Sequence, residues 1–166
     1  MKKSFLLLAL LSAFMFTNAE EYCDMGFCFE LGKFKPSPLK IENIVRATKG
    51  MFTVMTIEGN WHPELVSMEE KVEFIKNKLD KAMADQTRNT MVFYKIEFSE
   101  EDEYLGMIPA HCLTGLVKMG MGATQYKFYL FEKDNIPYCV EFSTPGGKKG
   151  FEKDFRAMID SFYMPQ

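Results

Sequence analysis

The stretch from Thr124 to Phe162 constrains the fold more than any other, because its hydrophobic period changes there from two to about 3.6 residues. Tyr126, Phe128 and Leu130 alternate along one arm, and Tyr138, Val140 and Phe142 along the next, so each arm has one apolar face. Between them Asp134-Asn135 tolerates the positive φ that a short hairpin turn needs. Beyond Thr144-Pro145-Gly146-Gly147, the side chains of Phe151, Phe155, Met158, Ile159 and Phe162 fall on one helical stripe. A hairpin whose aromatic face is sealed by the C-terminal helix predicts an α+β core.

The other end of the chain reads as an address label. Lys2 and Lys3 precede an apolar run over 5–16 that is short for a bilayer span, and Thr17-Asn18-Ala19 offers small residues for cleavage. Cleavage after Ala19 leaves 147 of the 166 residues, enough for one domain, and removal of the two lysines takes the net charge from −3 to −5. That balance, with basic residues scattered, argues against nucleic acid or anionic lipid as the main partner. No second apolar run reaches spanning length, so no integral membrane segment is expected after the leader is removed, and the product is exported, to a periplasm or outside the cell.

Export places four cysteines, Cys23, Cys28, Cys112 and Cys139, in an oxidising compartment, where an even number favours disulfides. The pairing expected is Cys23 with Cys28, tying a small loop, and Cys112 with Cys139, joining two strands. Pairing each N-terminal cysteine with a distant one is the alternative.

Residues 20–39 mix Cys, Gly, Phe and Pro without a period and read as an N-terminal arm; 40–166 then form a single α+β domain. Strands are expected over 41–47 and 51–58, joined near Thr48-Lys49-Gly50. A helix over 66–86 follows, with Ser67 and Glu70 as a capping box and a stripe of Met68, Val72, Ile75, Leu79 and Ala82. Strands over 90–98, 104–108 and 111–119 complete the pattern, with Ser99 to Glu103 as a solvated acidic turn and Pro109 at a break. The result is an antiparallel sheet of about five to seven strands flanked by helices over 66–86 and 148–162.

In Tyr126-Lys127-Phe128-Tyr129-Leu130, in Ile136-Pro137-Tyr138-Cys139-Val140-Glu141-Phe142 and in the closing Phe151, Phe155 and Met158-Ile159-Asp160-Ser161-Phe162, the chain resembles the PsbP-like superfamily. The likeness is strongest over 124–163, extends to 41–98 and is absent from the arm. It implies an α/β/α sandwich with a central antiparallel sheet. That group includes Ran-release factors, small exported bacterial proteins, adaptors and assembly factors without a shared catalytic motif, so no active-site residue is carried over.

The reactive residues offer several sharper chemistries to weigh. Cys23 and Cys28 are separated by four residues, whereas a low-pKa dithiol has two between its cysteines and sits at a helix start. His111 and Cys112 are adjacent, so on a strand they point to opposite faces and do not form a nucleophile and base. Met119, Met121 and His111 are the local set of soft ligands that copper(I) would use, and the acids 100–103 lack the spacing of a calcium loop. No hydrolase elbow, phosphate loop or zinc-protease helix is present.

No cofactor or metal is therefore assigned. Trp61 and His62, in the turn before the helix, and Tyr129 and Phe131, on the hairpin face opposite Phe128, are the candidate partner-surface residues; the opposing reading is that the arm or first helix covers them. The function expected is that of a non-enzymatic exported protein that binds or assists an envelope or secreted partner protein, of adaptor or assembly-factor type. The alternative is an inhibitor or immunity-type protein inserting the 59–63 or 99–103 loop into a hydrolase, and beyond that a thiol-redox or copper carrier.

Overall fold

The computed structural model describes residues 20–39, 41–88, 90 and 92–165. The expected leader over 1–19 lies outside the described residues. Two short strands, β1 (Glu21–Asp24) and β2 (Phe27–Glu30), form a hairpin of their own. The chain continues through β3 (Lys35–Pro36), β4 (Ile44–Lys49), β5 (Thr53–Gly59), helix α1 (Met68–Thr87), β6 (Tyr94–Leu105), β7 (Ile108–Met119), β8 (Gly122–Lys133), β9 (Ile136–Pro145) and helix α2 (Gly147–Ser161). Among the described residues, β3 to β9 form one antiparallel sheet in the order β3-β4-β5-β9-β8-β7-β6.

The expected class, an antiparallel sheet flanked by two main helices, is the one found. α1 starts where the capping box places it: the Glu70 amide donates to Ser67 Oγ at 3.1 Å, and the Ser67 amide donates to Glu70 Oε2 at 2.9 Å. The β8–β9 turn is at Asp134-Asn135, both with positive φ.

The two-residue turn sets Lys133 opposite Ile136, so odd positions of β8 share a face with even positions of β9. This corrects the expected single aromatic face. Phe128 and Leu130 point to α1, whereas Tyr138, Val140 and Phe142 point to α2 together with Tyr129 and Phe131. The sheet is therefore covered on both sides. α2 contributes Phe151, Phe155, Met158 and Ile159, and the arm contributes Phe27, Phe29, Leu31 and Phe34 to the same layer. The arm is thus a hairpin built into the core: Phe29 stacks on Phe162 with centroids 4.6 Å apart, and Cys28 exchanges backbone hydrogen bonds with Tyr163.

Two loops expected from sequence are strand. Ser99 to Glu103 belong to β6, which is an edge, and three of its acids meet neighbours: Lys76 pairs with Glu100 and Lys127 with Glu103, while His111, directly opposite, sets its Nδ1 2.8 Å from Asp102 Oδ1. The turn expected at Pro109 occurs instead at Gly106-Met107, and Pro109 is the second residue of β7, beside that edge strand.

Candidate functional site: the cleft between the first helix and the sheet

Helix α1 lies over β6, β7 and β8, where Val72, Ile75, Leu79 and Met83 meet Phe128, Leu130, Leu113 and Val117. Gly115 permits this close approach, since a Cβ there would lie 3.0 Å from Leu79 Cδ2 and 3.3 Å from the Phe98 ring. The helix does not reach the outward side chains of β4 and β5. Thr56 and Glu58 of β5, with Cys139 and Glu141 of β9, form instead the floor of a cleft of about 210 Å³.

Trp61, Phe128, Tyr126, Ile75, Leu79 and Met83 make its walls largely apolar, and Lys78, Ala82 and Gln86 of α1 line its helix side. Glu58 opposes Cys139 and Thr56 opposes Glu141, so the two carboxylates are diagonal neighbours on one face, about 7–8 Å apart at the backbone. Burial raises the pKa of Glu141, and the Glu58 charge adds to this against the opposing pull of Lys78 and Arg46. No hydrogen bond from any described residue contributes to that shift.

A hollow beside Lys127 and Arg156 is larger, about 300 Å³. Its two cations are already paired, Lys127 with Glu103 and Arg156 with Asp160. The cleft under α1 is where an unmatched acid meets apolar walls.

Three of the four candidate partner-surface residues are buried. Trp61 is 3 % exposed, Tyr129 1 % and Phe131 7 %. The Trp61 amide donates to the Pro137 carbonyl at 3.0 Å and its ring packs edge-on to Phe74 of α1, while Tyr129 and Phe131 lie under α2 and the N-terminal hairpin. His62 stays half-buried against Phe74 and pairs with Glu64 at 2.8 Å. The first helix and the arm cover these aromatics. Trp61 forms a wall of the cleft.

Cys23 and Cys28 are joined by a disulfide that staples the tip of the β1–β2 hairpin. The expected Cys112–Cys139 disulfide is not formed, and both cysteines are free and buried. The reason is topological: β8 runs between β7 and β9, with Cys112 opposite Tyr129 and Cys139 opposite Leu130. Cys112 belongs to the α2 layer and Cys139 to the α1 layer, so the sulfurs are on opposite sides of the sheet.

Burial, reinforced by a hydrogen bond with Glu103, pushes the Cys112 thiol up to about 12, and burial pushes Cys139 well above its ordinary value. His111 faces α1, its Nδ1 2.8 Å from Asp102 Oδ1, so strand geometry parts it from Cys112. The copper set is dispersed as well: Met119 lies eight positions along β7 from His111, roughly 26 Å of extended chain. Among the described residues no group of three or more His, Cys, Asp and Glu side chains is arranged to hold a metal ion.

No protein-family model matches the chain, and no curated protein matches its sequence. Its shape does match solved structures. The cyanobacterial PsbP of Synechocystis sp. PCC 6803 superposes with a TM-score of 0.53 over 88 % of this chain and 92 % of its own, at 12 % identity. The fold is PsbP-like. A protein from Bacteroides thetaiotaomicron superposes with a TM-score of 0.52 over 90 % of this chain, at 9 % identity, and the chain spans 50 % of that protein's length. At these identities the PsbP-like likeness is one of fold, and function has to be argued from the site.

Proposed function

We propose that this chain is an exported, non-catalytic protein that holds a partner protein by one anchoring side chain inserted between α1 and β5. The observation that carries this reading is the cleft itself. Small-molecule sites usually enclose about 300–1,000 Å³. At about 210 Å³ the cleft is smaller than these, and its size suits a single large side chain. Its apolar walls with a few polar groups are those of an anchor pocket, the part of an interface in which binding energy concentrates.

The disulfide at Cys23–Cys28 supports export, because such bonds persist in oxidising compartments. No described helix is long and apolar enough to cross a membrane. The buried, high-pKa thiols and the separation of His111 from Cys112 support a non-catalytic role.

Ala82 lies exposed on the helix side of the cleft, so Ala82→Trp fills the space at little cost to the core. Crosslinking in the native envelope, followed by mass spectrometry, should recover the same partner with the wild type in each replicate and lose it with Ala82→Trp. A partner retained at full yield by the filled variant, or none recovered by the wild type, would overturn this function.

A further inference from the structure

We infer that the cleft selects a positively charged anchor, an arginine or lysine side chain of the partner, with its aliphatic stem against Trp61 and Phe128 and its charged tip at Glu141 and Glu58. This inference rests on the partner-binding reading above and adds to it the chemistry of what is bound.

One carboxylate, that of Glu141, is not used by the fold. Each of the acids Glu97, Glu100, Glu103 and Asp154 has a lysine within ion-pair distance. Glu141, half-buried on the central strand β9, has no such partner among the described residues. Leaving a partly buried acid without a donor costs stability. Its position beside Glu58 increases the cost and also doubles the negative charge in one small space.

The cations that face this space are Lys78 of α1 and Arg46 of β4, and both side chains are in water. Charges at that rim are screened by solvent and salt, whereas the floor is shielded by Leu79, Met83, Phe128 and Trp61. An entering group is therefore offered apolar contact along its length and unmatched negative charge at its end. Lysine and arginine have that build, with a long apolar stem and a cationic head. A guanidinium also has planar donors enough for both carboxylates and stacks on aromatic faces.

Trp61 is the one tryptophan of the chain and forms part of the cleft wall, so its fluorescence reports occupancy. N-acetylarginine amide and N-acetylcitrulline amide form the test pair, because citrulline keeps the shape of arginine and lacks its charge. At pH 7 and low salt the arginine probe should shift Trp61 emission saturably and bind about tenfold or more tightly than the citrulline probe. Glu141→Gln should abolish that preference, and Lys78→Met, which removes the competing rim cation, should strengthen it.

Equal binding of the two probes would overturn the charge selection and leave the partner-binding reading standing. A preference that survives Glu141→Gln would place the charged tip elsewhere and overturn the inference too. If neither probe perturbs Trp61 the inference falls, and crosslinking of the wild type against Ala82→Trp decides the broader reading independently.

Discussion

At Gly106 the chain turns from β6 to β7 with φ near +60°, and a Cβ built there would lie 2.0 Å from the Phe162 carbonyl oxygen. The neighbouring Met107 amide donates to that same oxygen at 3.0 Å, so the turn and the end of α2 are locked together. Gly106→Ala adds both a left-handed strain and a backbone clash and is expected to cost about 3 kcal/mol. The check is a lowered urea midpoint with unchanged slope; an unaltered midpoint would show that the contact yields. The thiols give a second expectation at this scale. At pH 8 the native protein should present no thiol to an aromatic disulfide reagent, and after unfolding without reductant it should present two, Cys112 and Cys139. One sulfur titrating rapidly in the native state would contradict their burial. Sequence showed that both cysteines fall on strands, but strand order decides whether two strands are neighbours, and no local pattern encodes that β8 lies between them. Trp61 was visible as an aromatic in a turn; its role as a cleft wall depends on where α1 ends its coverage of the sheet, which is also non-local.

Elements whose signals are local were legible. The capping box at Ser67 and Glu70 starts α1, the Asp134-Asn135 turn closes β8 on β9, and the stripe from Phe151 to Ile159 faces the core. The β1–β2 hairpin was not legible as an element. Its strands are four residues each, and Phe27, Cys28 and Phe29 are all buried, so no alternation exposes one face to water. Phe29 is enclosed by Phe162 and Tyr22, and Phe27 meets Phe131 and Tyr138 edge-on. Packing, more than the disulfide, should therefore hold this hairpin. Phe29→Ala is expected to cost about 3–5 kcal/mol, whereas reducing Cys23–Cys28, which closes a loop of only a few residues, should cost about 2 kcal/mol. Paired denaturant titrations of the oxidised protein, the reduced protein and the Phe29→Ala variant check the order. A reduced protein less stable than Phe29→Ala would make the crosslink the principal restraint.

For the molecule as a whole, the carboxylates divide into two groups with opposite effects of pH. Burial acts to raise the pKa of Glu103 and of Asp154, but hydrogen bonds outweigh it, from Cys112 and Lys127 to the first and from Lys49 and Thr144 to the second, so both are held below their ordinary values of 4.5 and 3.8. Their contribution is complete above those values and is lost as pH falls through the lower folded ones. Glu141 is the reverse: burial lifts it above 4.5, so the native state keeps this proton at pH values where the unfolded chain has released it. Stability then declines as pH rises from 4.5 through the raised value, and the penalty is complete above it. Melting temperature should accordingly rise as the wild type is taken from pH 7 down through the raised Glu141 value toward 4.5, then fall below about pH 4 as Glu103 and Asp154 protonate. Glu141→Gln is neutral throughout; it should melt higher than the wild type at pH 7, and the gap should close on the acid side. Scans of the two proteins in parallel at each pH isolate this residue from the general change in net charge. A gap independent of pH would mean that Glu141 is not the unmatched carboxylate under α1, and the acid end of the cleft would lose its physical basis.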